Sequence, residues 1–75
     1  MQCLNDLKVG EVAEILTVAG TAKIKRRLFD LGLTPQTKVK VLAISMLKKS
    51  FLIGVRDYAL AVQSKTLKLV GVRKL

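Results

Sequence analysis

The sequence predicts a mainly β fold, a small β-barrel of about five short strands with one helix inserted between the first two. Three observations predict it. Several short segments alternate apolar with polar residues, which is typical of strands. One segment without helix breakers, residues 22–31, repeats apolar residues at helical spacing instead. The chain has only 75 residues, too few for two sheets of ordinary width, so residues 1–75 are expected to form one domain around one core.

The first strand is expected at residues 11–18, after a turn that brings the chain into it. Thr21 can then cap a helix, because its hydroxyl can accept a hydrogen bond from a free backbone N–H of the first turn. The helix has one apolar stripe at i, i+4, i+7 spacing, which is expected to face the core and consists of Ile24, Leu28 and Leu31.

The end of the helix is marked by Gly32, which suits a left-handed position, and by Pro35, which prevents the helix from resuming. A Schellman motif at Gly32 would bring Leu33 back onto Leu28. Gln36 follows the proline where a type II turn favours Gly or Asn. The chain should therefore leave the helix through a tight turn, in which Gln36 is less favourable than glycine.

The second half of the chain reads as short strands separated by turns. Strands are expected at residues 38–41, 51–56 and 59–62, with a tight hairpin at Asp57 and Tyr58. A short helical turn is expected near residues 64–67, and a final strand at residues 69–72. Of the three aromatic residues, Phe29, Phe51 and Tyr58, at least one should lie in the core.

The composition argues against an enzyme and against a metal site. The chain has no histidine, which is the commonest general base and transition-metal ligand. Its only cysteine, Cys3, lies at an N-terminus that is expected to fray, and its five acidic residues are scattered. We therefore predict no catalytic residues, no metal ligands and no bound cofactor.

The hydropathy pattern predicts a cytoplasmic protein. The hydrophobic fraction of 51% argues against disorder. The longest apolar stretch, residues 41–47, is much shorter than the roughly 20 residues of a membrane span. The N-terminus has no basic region followed by an apolar run, so no secretory signal is expected.

The net charge of +9 is unevenly distributed along the chain. Residues 1–37 have five basic and four acidic side chains, whereas residues 38–75 have nine basic side chains against Asp57 alone. Such a surplus attracts polyanions and acidic partners. Lysines that alternate along strands are also a common way of keeping a small domain soluble.

Three separate segments, in order, resemble the FeoA family, the small cytosolic accessory proteins of ferrous iron uptake. Residues 7–11 (LKVGE) match the entry motif of the family, residues 25–35 (KRRLFDLGLTP) with 38–41 (KVKV) match its helix, turn and strand, and residues 55–62 (VRDYALAV) match its late hairpin. The resemblance covers nearly the whole chain. The chain departs from the family pattern at Gln36, at Asp57, in the loop at residues 46–50 and at residues 64–69.

The resemblance implies an SH3-like β-barrel and a non-catalytic accessory role in ferrous iron uptake. It implies binding to the cytosolic GTP-binding region of the FeoB-type membrane transporter, and it does not imply iron binding by this chain. No Gly-x-x-x-x-Gly-Lys phosphate loop is present, so nucleotide chemistry is expected to belong to the partner. Self-association through a strand edge stays open at this stage.

The predicted partner-binding residues fall in two groups. On the helix, Phe29 projects away from the apolar stripe, and an exposed aromatic side chain among basic residues is typical of a binding hot spot. An alternative is that Phe29 folds back over the barrel. The helix group consists of Lys23, Lys25, Arg26, Arg27 and Phe29, and a second basic patch is predicted from Lys48, Lys49 and Arg56.

A basic SH3-like protein that binds nucleic acid is the alternative function. The charge of the second half favours it, but few aromatic residues are available for stacking on bases. Fold alone does not choose between the two functions. Binding that weakens steeply with salt would distinguish a nucleic-acid protein.

Overall fold

The computed structural model describes residues 2–75, which form six strands and two helices. A 3-10 turn at Leu4–Asp6 follows the first strand. The mainly β fold, the helix between the first two long strands and the short helix at residues 64–67 are confirmed. The elements in chain order are β1 (Gln2–Cys3), β2 (Val12–Val18), α1 (Ala22–Asp30), β3 (Lys38–Ile44), β4 (Ser50–Val55), β5 (Tyr58–Gln63), α2 (Ser64–Leu67) and β6 (Val70–Lys74).

All six strands form one antiparallel sheet in the order β1-β6-β2-β3-β4-β5. The last strand therefore inserts between the first two. Among residues 2–75, strands β1 and β5 are the edges of the sheet, and no strand pairing between them closes the barrel. The short helix α2 contacts both β5 and the 3-10 turn, and it covers the gap between the two edges.

The core is filled by the inward-facing residues of the curled sheet. In β4, Phe51, Ile53 and Val55 are buried as their alternation predicted, and Phe51 is the aromatic residue of the core. The buried apolar side chains pack as one cluster. Its members are Leu4, Leu7, Ala13, Ile15, Val18, Leu28, Leu33, Val39, Val41, Phe51, Ile53, Val55, Val62, Leu67, Val70 and Val72.

The N-terminal segment is ordered, which corrects the expectation of a frayed end. Cys3 pairs with Gly71 of β6, and its backbone N–H donates to Oδ2 of Asp6 at 3.0 Å. Leu4 and Leu7, which follow it, are fully buried. The partner strand of β1 lies at the other end of the chain, so nothing in the local sequence indicated this pairing.

The predicted apolar stripe of α1 is only partly buried. Leu28 is 2% exposed, but Ile24 is 36% and Leu31 40% exposed. The helix ends at Asp30 and Leu31 is its C-cap, one residue earlier than predicted. The predicted Schellman motif is present, because the N–H of Leu33 donates to the carbonyl of Leu28 at 3.0 Å. The helix is thus held on the barrel by its C-terminal half.

The tight hairpin lies one residue earlier than predicted. Val55 pairs with Tyr58, so the two loop residues are Arg56 and Asp57, and Tyr58 is the first residue of β5. The positive φ of the loop, 55°, falls on Arg56 and not on Asp57. Two-residue hairpins need this conformation to match the twist of their strands, and pairing of the flanking strands imposes it on whichever residue comes first.

The turn between α1 and β3 forces Gln36 into a left-handed conformation. Gln36 has φ of 73°, and the N–H of Thr37 donates to the carbonyl of Thr34 at 3.2 Å. The N–H of Gln36 donates to the carbonyl of Ile15 at 2.7 Å, which fixes the turn against β2. A side chain with a Cβ is strained in this conformation, and glycine is not.

We therefore predict that Gln36→Gly stabilises the protein by about 0.5 to 1 kcal/mol, because relief of the left-handed strain exceeds the entropic cost of a glycine. Urea unfolding measures the change. Gln36→Ala is the matched control, since it removes the same exposed side chain but keeps Cβ. An alanine variant as stable as the glycine variant would contradict the explanation.

Candidate protein-interaction surface

Helix α1 presents most of the predicted partner-binding side chains to solvent. Thr21 caps the helix as predicted, accepting the N–H of Ile24 on Oγ1 at 3.2 Å. Lys25 is half-buried, and Phe29 is 40% exposed, so Phe29 does not belong to the core. We use the name helix patch for the five predicted residues of α1, which are Lys23, Lys25, Arg26, Arg27 and Phe29.

The helix patch is not one flat face. Arg27 lines a cleft of about 400 Å³ between α1 and α2, together with Lys65 and Leu69. At 100° per residue, Lys25 and Phe29 lie together on the other flank of the helix. The patch therefore combines an aromatic flank with a basic outer face, and a partner that touches all of it must wrap around the helix.

Tyr58 fixes the C-terminal end of α1 to the sheet. Its hydroxyl donates to the carbonyl of Leu31, the C-cap of the helix. Gly32, the next residue, has φ of 96°, and a Cβ there would clash with the Tyr58 hydroxyl. Only glycine satisfies both the backbone conformation and the close approach. The orientation of the helix patch thus depends on contacts to the β4–β5 hairpin.

An open groove of about 1000 Å³ begins beside Tyr58 and was not predicted from the sequence. Its apolar floor includes Leu42, which a β-bulge between Val41 and Ala43 leaves 41% exposed. Gly54 leaves room for Leu42, since a Cβ on Gly54 would lie 3.2 Å from Leu42 Cδ1. The lining consists of Val12, Thr34–Lys38, Val39, Lys40, Leu42, Gly54, Arg56, Asp57, Tyr58 and Ala59.

One sequence signal pointed toward this groove. A glycine inside a strand often marks a site of close approach, and Gly54 lies within β4. The bulge that exposes Leu42 has no such signal, because it depends on the register between β3 and β4. Gly54 could therefore have indicated a close approach at this position, but the groove itself becomes visible only in the structure.

The second predicted basic patch is divided in two by the structure. Lys48 and Lys49 lie at the turn between β3 and β4, whereas Arg56 lies at the turn between β4 and β5. The six residues of β4 separate these turns, which puts them roughly 20 Å apart. Arg56 belongs to the groove, next to Tyr58, and Lys48 and Lys49 form part of another surface.

Two of the acidic side chains pair with cations of β6. Glu14 of β2 pairs with Arg73 of β6 at 2.6 Å. Glu11, which immediately precedes β2, pairs with Lys74 of β6 at 2.5 Å. Of the nine cations in residues 38–75, seven therefore have no ion pair among residues 2–75. The pair between Arg26 and Asp30 that helix spacing allows is likewise not formed within the described chain.

Neither a metal site nor a membrane span is found in the part of the chain that the structure describes. Within residues 2–75, no group of three or more Cys, Asp or Glu side chains is arranged to hold a metal ion. Neither α1 nor α2 has the length and apolar character that crossing a bilayer requires.

Comparison with known protein families shows to which family this chain belongs. Residues 2–74 match the FeoA domain. The FeoA protein of Chlorobium tepidum, solved in solution, is 31% identical, with a TM-score of 0.90 over 99% of this chain and 70% of that one. The chain belongs to the FeoA family. No curated protein matched in the corresponding search.

Two crystal structures share the FeoA fold at lower identity. An iron uptake regulatory protein, also a FeoA, is 24% identical, with a TM-score of 0.90 over 99% of this chain and 97% of that one. The zinc-complexed FeoA of Stenotrophomonas maltophilia is 23% identical, with a TM-score of 0.81 over 97% and 91%. That protein is described as an SH3 domain protein and a candidate ferrous iron transport activating factor. The SH3-like prediction is confirmed.

The Tyr58 contact leads to a test of how this FeoA chain holds α1. Tyr58→Phe removes the hydroxyl that donates to Leu31 and should cost about 1 kcal/mol of stability. Gly32→Ala should cost about 2 kcal/mol or more, because its Cβ meets the hydroxyl and its φ is positive. Chemical denaturation of both single variants and the double variant checks these values.

The double variant separates the two causes. Without the hydroxyl, part of the clash with the new Cβ at position 32 is relieved, so the combined loss should be smaller than the sum of the two single losses. Strictly additive losses would contradict a direct contact between the Tyr58 hydroxyl and position 32.

The ion pair between Glu11 and Lys74 predicts how stability varies with pH in this FeoA chain. The hydrogen bond from Lys74, with a second from the N–H of Lys8, holds the pKa of Glu11 below its ordinary value of 4.5. A carboxyl whose pKa is lowered by folding stabilises the protein above its unfolded pKa. This stabilisation should be lost as pH falls from 4.5 through the lower folded pKa.

The matched variant is Glu11→Gln, which keeps an oxygen that can accept from Lys8. Wild type should have the higher unfolding midpoint at about pH 7, and the difference should shrink as pH is lowered toward about 3. Added salt should also reduce it, since Lys74 is exposed and Glu11 is only half-buried. A difference that stays constant over this pH range would contradict the contribution of the charge.

Proposed function

We propose that this FeoA-family chain is a non-catalytic accessory protein of ferrous iron transport that binds the cytosolic GTP-binding region of an FeoB-type transporter. The match to the FeoA domain over residues 2–74 carries the proposal. The description of the Stenotrophomonas protein as a candidate transport activating factor supports the same role. The proposed site of action is the cytoplasm.

The helix patch and the groove are the proposed contact surface. Phe29 offers a rigid, partly exposed aromatic side chain, and the neighbouring cations supply charge for an acidic partner surface. The hydrogen bond from Tyr58 to Leu31 orders the end of the helix beside the groove, so the two features are continuous. A surface that is already ordered loses little entropy on binding.

A non-catalytic role agrees with the chemistry of the exposed side chains. The chain has no histidine to act as a base, and the acidic residues Glu11 and Glu14 are engaged in ion pairs. A non-catalytic chain would accelerate transport by binding one conformation of the transporter more tightly than another, which shifts the transporter toward that conformation.

The test measures binding of the purified chain to the isolated GTP-binding region of the transporter from the same organism, by calorimetry at physiological salt. Phe29→Ala should weaken binding at least about tenfold, because it removes an aromatic anchor. Leu16→Ala is the matched control, since Leu16 is also 40% exposed but lies on β2. It should change the affinity less than about twofold.

The same titration with nucleic acid tests the alternative function. Tight binding to a DNA or RNA oligonucleotide, with a steep salt dependence and no measurable binding to the transporter region, would contradict the proposal in favour of the nucleic-acid protein. If a folded Phe29→Ala variant binds the transporter region with unchanged affinity, the chain still binds the transporter but Phe29 is not part of the contact surface.

A further inference from the structure

The turn between β3 and β4 projects two apolar side chains into solvent. Met46 is 97% exposed and Leu47 is 72% exposed, the two highest values among the large exposed hydrophobic residues of the described chain. Neither side chain contributes to the core. Covering two adjacent apolar side chains at the end of a hairpin, one of them almost fully exposed, would remove apolar area from water and would therefore be favourable.

The turn has a defined shape, so these side chains are held outward. The Ser45 hydroxyl oxygen accepts from the N–H groups of Lys49 and Ser50, at 3.0 and 3.1 Å. The N–H of Lys48 donates to the carbonyl of Ser45 at 2.9 Å, and Lys48 adopts a positive φ of 56°. We call Met46, Leu47, Lys48 and Lys49 the hairpin tip.

A second pair of lysines lies beside the hairpin tip. The N–H of Ser64 donates to the carbonyl of Lys49 at 2.8 Å, which brings the start of α2 against the turn. A depression of about 410 Å³ is then lined by Lys48, Lys49, Gln63, Ser64, Lys65 and Lys68. None of the four lysines makes an ion pair within residues 2–75. Four lysines thus lie in or beside the turn that carries Met46 and Leu47.

We propose that the hairpin tip docks on the surface of an anionic lipid membrane, with Met46 and Leu47 inserted at the headgroup level and the four lysines bound to lipid phosphates. Apolar side chains that enter the interface, together with cations that stay in the headgroup layer, are the combination that holds peripheral proteins on membranes. Each lysine near an anionic surface strengthens binding by about fivefold.

The apolar pair distinguishes a membrane from other polyanions. Nucleic acid would be held by the lysines alone, because methionine and leucine offer no aromatic face for stacking on bases. An acidic protein surface would need a pocket shaped for two protruding side chains. A lipid surface needs none, since the interface deforms around them.

The central test is cosedimentation with vesicles of phosphatidylcholine alone or mixed about three to one with phosphatidylglycerol. The chain should bind the anionic vesicles and bind the neutral ones far more weakly. Met46→Ser combined with Leu47→Ser should weaken anionic-vesicle binding at least about tenfold although the net charge is unchanged. Lys48→Ala combined with Lys49→Ala should weaken it about 25-fold, at about fivefold for each lysine.

A charge-matched control uses Lys38→Ala combined with Arg56→Ala, at the opposite ends of β3 and β4 from the hairpin tip. This control should change vesicle binding by about threefold at most. Equal losses in both charge variants, or a serine variant that binds like wild type, would show that net charge alone attracts the chain and would overturn the proposal.

A fluorescent probe reports insertion directly. The chain contains no tryptophan, so Leu47→Trp places a single one at the hairpin tip. Its emission should shift to shorter wavelength with anionic vesicles and should be quenched by brominated lipid. An unshifted emission while the chain is vesicle-bound would overturn insertion. Loss of oligonucleotide binding in the lysine variant, with no vesicle binding by wild type, would overturn the proposal and assign the lysines to nucleic acid.

Discussion

The pairing of β2 with β6 is the constraint on which the rest of the molecule depends. It joins residues that are 59 positions apart, Glu14 and Arg73, and it inserts the last strand between the first two. Strand β6 is also the partner of β1, so it connects the N-terminal segment, with the buried Leu4 and Leu7, to the rest of the sheet. The loop-closure cost of such a contact must be met before the contact stabilises the fold, which favours slower folding than local contacts would.

The same pairing determines how charge is distributed on the surface. The β2–β6 region contains both ion pairs of the described chain, Glu14 with Arg73 and Glu11 with Lys74. Glu11 and Glu14 therefore lie where an ion pair favours the register of β2 with β6. Cations without an ion pair among residues 2–75 include those of α1, the groove and the hairpin tip.

Local patterns predicted most of the fold, and long-range contacts account for what they missed. The alternation in β4 and the Schellman motif at Gly32 were correctly predicted, because each depends on residues close in sequence. Strand β1 and the exposed Leu42 were missed, since one depends on a partner at the far end of the chain and the other on a bulge in the register. Helical periodicity predicted that the residues of the helix patch are exposed, but not that they are distributed around α1. The separation of Arg56 from Lys48 follows from the length of β4, which lies between them.

The geometry of the β3–β4 hairpin relates the two proposed contacts. Its turn carries Met46 and Leu47, and its opposite end carries Arg56 and the groove beside Tyr58. At about 3.3 Å per residue, the six residues of β4 separate them by roughly 20 Å. A chain docked on lipid through the hairpin tip would hold the groove that far above the headgroups. The two proposed contacts lie at opposite ends of the hairpin, so one rigid barrel could make both at the same time.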